Sequence, residues 1–371
     1  MRKFNVILCG IYCRIVLVAG LIALSGTASA LLPFEKTGNL YVSLWNTDEI
    51  AVFTPDGTVQ EIFTATGLDG PRGIAFNPAN GDIWVAAEHS DAIFIFDYTH
   101  EFLRMLQHED FDEPVGVAFR TVDADAADAL VYISNSDGNA IMVFTQDGEL
   151  QRRFSTPDLI DANGAAFLAD GSLAVSNRLG GSTGSTGSTS LFDSEENFLF
   201  DFTAPGLSSQ LAIARDPNTA AIDEDDTLWV TSGGGDTGIY EFDQNGNLLT
   251  SLFSEDIGDG RSIVPQGIAF DSNGDFYVTS FVNEVLRFDS DGNFITRFPT
   301  GSGTSRNIAF QGCQANITDS CVPFGVDAVV TPDLEFPTTF GGSGGGGGGG
   351  AFSLLAIGLL AIDDASSKQK H

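Results

Sequence analysis

The chain has 371 residues, of which 43% are apolar, enough for a large core. Its formal net charge is −33, and once the two ends are set aside the middle keeps 12 Lys and Arg against 48 Asp and Glu, with Lys36 its one lysine. Phosphate binding needs a basic face, so this balance argues against a nucleic-acid partner and favours solubility, cation binding or a salty medium.

The N-terminus reads as a targeting segment. Arg2 and Lys3 precede an apolar run at 15–24, and Ala28, Ser29 and Ala30 supply a small-residue exit. This order fits a secretory signal peptide at 1–30, cut after Ala30; the competing reading is an uncleaved membrane anchor. Cys9 and Cys13 would leave with it. Cys313 and Cys321 remain, close in sequence in an exported chain, so a small-loop disulfide is expected.

Three signatures recur from there on. A Gly-Ile-Ala-Phe type stands at 73–76, 116–119, 164–167, 211–214, 267–270 and 307–310. A second type, ending in Trp or Tyr (Ala in the copy at 171–175) and then Val or Ile, stands at 38–42, 81–85, 129–133, 171–175, 226–230 and 274–278. A third strand ends in Phe53, Phe96, Phe144, Phe192, Phe242 and Phe288, spaced by 43, 48, 48, 50 and 46 residues. That reuse explains 30 Phe against 6 Tyr and 3 Trp. The clearest unit, 264–298, holds four short apolar runs separated by polar and Asx-Gly turns, which read as four strands of an antiparallel sheet.

A period in the forties with four strands per unit predicts an all-β, six-bladed β-propeller over 31–310. The first unit lacks its Gly-Ile-Ala-Phe strand, and the spare copy stands at 307–310. Ring closure is therefore expected by pairing that C-terminal inner strand with the N-terminal blade, which removes an open edge. Two insertions interrupt the repeat, a Gly-Ser-Thr loop at 180–190 and an acidic stretch at 216–226. A short cap is expected at 311–340.

The runs Gly70-Pro-Arg-Gly-Ile-Ala-Phe, Asn80-Gly-Asp-Ile-Trp-Val and Ile93-Phe-Ile-Phe-Asp resemble the NHL-repeat family. The resemblance implies the propeller but no particular activity, since this fold serves scaffolds, binding modules and enzymes. At the far end come a glycine-rich linker, 341–350, and an apolar segment, 351–371, closing with Lys368 and Lys370. The apolar stretch 351–362 reaches only about 18 Å as a helix, against about 30 Å of hydrocarbon. This order resembles the GlyGly-CTERM sorting signals of bacterial surface proteins, although Asp363 and Asp364 stand where that family has arginines. The resemblance implies a sorting protease as partner and a destination at the cell surface or outside the cell, with anchoring through the tail as one outcome.

In a propeller the loops between blades, and those between second and third strands, share one face where ligands meet the central channel. The residues before each inner-strand glycine are then Arg72, Val115, Asn163, Gln210, Gln266 and Arg306. Second-strand ends add Trp45, Glu88, His89, Asn135 and Asn177. The two arginines, on neighbouring blades, suit bidentate capture of a carboxylate, sulfate or sugar acid. The competing reading pairs them with Asp48, Asp69 or Glu88. Asn163-Gly164-Ala-Ala-Phe resembles the metal-holding Asn-Gly of gluconolactonase-type propellers, but Arg72, Gln210 and Gln266 stand where acids or asparagine would be needed, and an arginine beside a divalent cation is electrostatically wrong. His89, His100, His108 and His371 lack the spacing of a zinc site. Asp123, Asp125 and Asp128, with Asp223 and Asp225, form loop carboxylate clusters that could take a Ca2+ ion; Asp-x-Asp-Gly turns such as the one at Asp289 read as hairpins. The expected role is a monomeric, surface-directed module binding a glycan, polymer or protein without catalysis. The runner-up is a metal-dependent lactonase or lyase of the gluconolactonase type.

Overall fold

A computed structural model describes residues 36–122, 125–180, 187–216, 226–253, 255–257 and 259–313. The signal segment, Asp123, loop 181–186, Asp223, Asp225, Cys321 and the whole C-terminal tail lie outside the described residues. Six four-stranded antiparallel sheets form the blades of a six-bladed β-propeller. Blade two is representative: Pro71–Phe76, Ile83–Ala87, Ala92–Phe96 and Phe102–Gln107 run from the axis outward. The inner strands of blades three to six are Pro114–Val122, Leu159–Phe167, Leu207–Arg215 and Pro265–Phe270.

Blade one closes the ring. Its inner strand is the C-terminal Ser305–Cys313, paired with the N-terminal Lys36–Leu44 in a register that sets Val42 opposite Ile308. The pairing runs further than expected. Thr37 faces Gly312 and Lys36 faces Cys313, so 311–313 extend the closing strand rather than begin a cap. A second boundary also moves. Asp125–Asn135 is one strand whose first residue pairs with Val122, so Asp125 and Asp128 lie on a strand, not in a loop.

The repeated phenylalanine does what its period implies. Phe53, Phe96, Phe144, Phe192, Phe242 and Phe288 are all buried. Each stabilises by about 1.5–3 kcal/mol through area removed from water. They belong to the core clusters packed along the blades. Tyrosines on second strands bind neighbouring blades: Tyr277 Oη donates to Pro55 O at 3.1 Å, Tyr132 Oη to Glu196 at 2.5 Å, and Tyr41 Oη meets His100 Nε2 at 2.7 Å. The Asp-Gly hairpins are self-contained. Asp289 accepts from the backbone of Asp291 and Asn293 at 3.1 and 2.8 Å, and Gly292 supplies the positive φ of 81°. The Asn293 side chain, then its backbone N–H, hold Asp289 below the usual carboxylate range. These acids are turn anchors rather than cation ligands.

Candidate functional site

The channel mouth is made by one backbone irregularity used six times. Each inner strand slips register near its N-terminal end: between Pro71 and Ile74, Pro114 and Gly116, Ala162 and Ala165, Gln210 and Ile213, Pro265 and Ile268, and at Ser305–Ile308. Such bulges re-aim a side chain out of the pleat. Here the bulged residues are Arg72, Val115, Asn163, Leu211, Gln266 and Arg306. The glycine that follows has a packing reason. A Cβ on Gly73 would lie 2.4 Å from Val115 O, and one on Gly267 2.8 Å from Arg306 O. Inner strands meet there backbone to backbone.

Blade five corrects the sequence reading by one residue. Gln210 pairs with Ser232 before the bulge, and period-2 alternation turns it away from the channel. It is fully buried, with Thr189 Oγ1 donating to its Oε1 at 2.5 Å. Leu211 takes the channel position. The opening, about 260 Å³ counting space open to solvent, is lined by Arg72, Val115, Gly164, Leu211, Ala212, Gln266, Arg306 and Asn307.

Second-strand hydroxyls fix three of these bulges. Thr279 Oγ1 accepts from Gly267 N at 2.7 Å and donates to Arg306 O at 2.6 Å. Thr231 does the same for Ala212 N and Gln266 O at 3.0 and 2.6 Å. Ser176 serves Gly164 N and Leu211 O at 2.8 and 3.2 Å. Each hydroxyl joins its own blade to the next. The sequence reading missed this set, although a Ser or Thr after the second-strand Val or Ile in most repeats was its signal.

The two arginines have different fates. Arg72 is buried and paired. Its Nη1 lies 3.1 Å from Glu88 Oε1, and its Nη2 donates to Asn163 Oδ1 at 2.9 Å. Trp45 Nε1 donates to the same Glu88 at 2.6 Å, and Asn163 Nδ2 donates to Asp161, which Arg178 holds at 2.5 Å. A continuous polar chain thus runs from blade one through blade two to blade four, past Val115. It bridges the throat. Arg306 instead donates through Nη1 to Gln266 Oε1 at 2.7 Å. Its guanidinium carbon sits 4.8 Å from the Trp45 ring centre and 4.9 Å from that of Phe281. Among the described residues it has no carboxylate partner, and its Nε is buried without a hydrogen bond. Burial, followed by the nearby charge of Arg72, brings it down to about 10.

The remaining candidates serve the rim. Asn135 is fully buried: its Oδ1 accepts from Asp112 N and its Nδ2 donates to Asp110 O, both at 2.8 Å. Asn177 donates inside its blade to Ser190 at 2.8 Å. His89 is partly exposed, bonded to Asp69 at 3.0 Å and edge-on to Trp45. Asp48 accepts from Gly70 N at 3.0 Å, so neither Asp48 nor Asp69 pairs with an arginine of the mouth.

These residues do not fit a divalent cation. A hard cation needs several oxygen ligands. The mouth's carboxylates, Glu88 and Asp161, are each held by an arginine. Among the described residues no three His, Cys, Asp or Glu side chains form a metal-binding group. Asp128 is exposed on its strand, and the rest of the proposed calcium set is not described at the side-chain level.

No family model and no curated protein matches the chain. Solved structures do resemble it. Virginiamycin B lyase from Staphylococcus aureus is 15% identical with a TM-score of 0.54, over 75% of this chain and 86% of that one. A chain of a nidogen/laminin complex is 16% identical with a TM-score of 0.56, over 73% and 97%. Hydrazine synthase of Kuenenia stuttgartiensis is 16% identical with a TM-score of 0.55, over 71% and 84%. At this identity the likeness is one of fold alone.

Proposed function

We propose that this propeller is a non-catalytic binding module that takes an anionic group of an extracellular glycan, polymer or protein at its channel mouth. The observation that carries this reading is Arg306. The chain has 50 Asp and Glu, yet the guanidinium at its axis is partnered by an amide and two aromatic rings. Glu88, the nearby counter-charge, is paired with Arg72 and does not offset the burial of Arg306; an incoming anion would offset it. Export is supported by the basic start and the small residues at 28–30; the glycine-then-apolar tail supports delivery to a bacterial surface by a sorting protease. Propellers resembling this one include a lyase and a member of a protein complex, so fold does not choose between the classes. Among the described residues the lactonase or lyase alternative finds no donor set at the mouth for its metal.

Calorimetric titration with a panel of polyanions (polyglutamate, polygalacturonate, a sulfated galactan) tests the reading. At least one is expected to bind, with affinity lowered about tenfold or more in Arg306→Ala. Binding that is unchanged in that variant removes it.

A further inference from the structure

Resting on the anionic-mouth reading, we infer that the ligand is a uronic-acid-bearing glycan, its carboxylate on Arg306 and its sugar ring on the neighbouring aromatic ledge. The guanidinium chemistry selects the first half. Nη1 is spent on Gln266, which leaves Nε and Nη2. These two nitrogens share the side-on edge of a guanidinium, whose parallel N–H groups match both oxygens of one carboxylate. The buried Nε–H has no partner among the described residues, and an unsatisfied buried donor calls for an acceptor.

The surroundings select the second half. Phe281 is 45% exposed and Val282 51%, beside the half-buried Trp45 that Arg306 also contacts. Exposed aromatic surface beside a guanidinium suits a pyranose, whose C–H face packs on aromatic rings while its carboxylate stays at the edge. A flexible acidic peptide has no such rigid face and would lose more side-chain entropy on binding. The polar chain from Trp45 to Asn163 bridges the throat below, so the sugar rests on the rim.

The test compares four probes by calorimetry: oligogalacturonate, its methyl ester, polyglutamate and a sulfated galactan. Oligogalacturonate is expected to bind most tightly, with the ester and polyglutamate weaker by about tenfold or more. Arg306→Lys keeps the charge but loses the fork, and should weaken oligogalacturonate by roughly tenfold. Phe281→Ala removes an exposed ring, leaves the fold intact, and should weaken the sugar but not polyglutamate. If polyglutamate or sulfated galactan binds through Arg306 while oligogalacturonate does not, the uronate inference falls and the anionic mouth stands. If no probe binds, both fall together. If oligogalacturonate binds equally to wild type and Phe281→Ala, the stacking half is wrong.

Discussion

The mouth has two unlike sides built on one scaffold. Blades six, one and two present Phe281, Trp45, His89, Glu88 and both channel arginines. Blades three and five present Val115, Leu211 and Ala212, and blade four presents Asn163 with the paired Asp161 and Arg178. The bulge that aims these side chains is common to both sides, so the scaffold sets where a residue points and not what it does. Even on the charged side the arginines differ. Arg72 is used up in holding the rim together, and Arg306 is left for something else.

The largest test of that contrast removes Arg72. Its loss leaves the Glu88 carboxylate nearly buried with Trp45 as its remaining partner and frees Asn163. Breaking a buried pair on one side costs about 3–5 kcal/mol. Arg72→Ala should therefore lower the denaturant midpoint markedly, and adding Glu88→Gln should recover much of it. Arg306→Ala should leave the midpoint nearly unchanged or raised. If the two single variants are equally destabilised, the division of roles is wrong.

A smaller effect is expected from the second-strand hydroxyls. Thr279→Val leaves Gly267 N–H and Arg306 C=O, both in the closing seam, without their partner. An unsatisfied buried group costs about 1–3 kcal/mol, so a loss of roughly 2 kcal/mol is expected by chemical denaturation. Anion affinity should fall as well, because the backbone that carries Arg306 is loosened. Ser176→Ala, which frees Gly164 N–H and Leu211 C=O away from Arg306, should cost similar stability and leave anion affinity alone. Equal losses of affinity in both would mean that the two sides are coupled.

Much of this was legible before any coordinates, for physical reasons. Apolar alternation and Asx-Gly turns are local, so the blade count and the strand that closes the ring follow from spacing. The bulge glycines marked Arg72, Asn163, Gln266 and their neighbours, because a Cβ on Gly73, Gly164 or Gly267 would press on the next strand's backbone. Blade five was misread where that signal fails: Ala212 stands in the glycine's place, and Leu211-Ala-Ile-Ala aligns one residue early. The Arg306 environment was not legible. Trp45, Phe281 and Arg306 come from three separate parts of the chain, and only ring closure brings them together. Pairing choices are equally non-local, which is why Arg72 and Arg306 looked alike.

Proton uptake gives a further test of Arg306. Arg306 in the folded protein sits at about 10, below its unfolded value. A base with a depressed folded value binds fewer protons when folded between those two limits. Its burial therefore costs stability below pH 10, and the cost is relieved as pH rises through that window. A bound anion favours the cation, so affinity should be flat up to about pH 9 and fall above about pH 10, by at most roughly tenfold per pH unit. Arg306→Lys should shift that fall, and affinity that is flat through pH 11 would mean the guanidinium is not the contact.

The smallest effect comes from salt, and its sign is informative. An anion approaching this chain meets a net charge of −33 before it meets Arg306. At about 0.01 M salt the screening length is about 30 Å, so most of that acidic surface repels it; at about 0.15 M the length is about 8 Å. The contact with Arg306 is short and flanked by aromatic rings, hence less screened. Affinity for a small monoanionic sugar should thus rise by about two- to threefold across that range, against the usual fall for anion sites. A steady fall would mean that the arginines dominate the field well beyond the rim, making Arg72 and Arg178 part of the attraction despite their carboxylate partners.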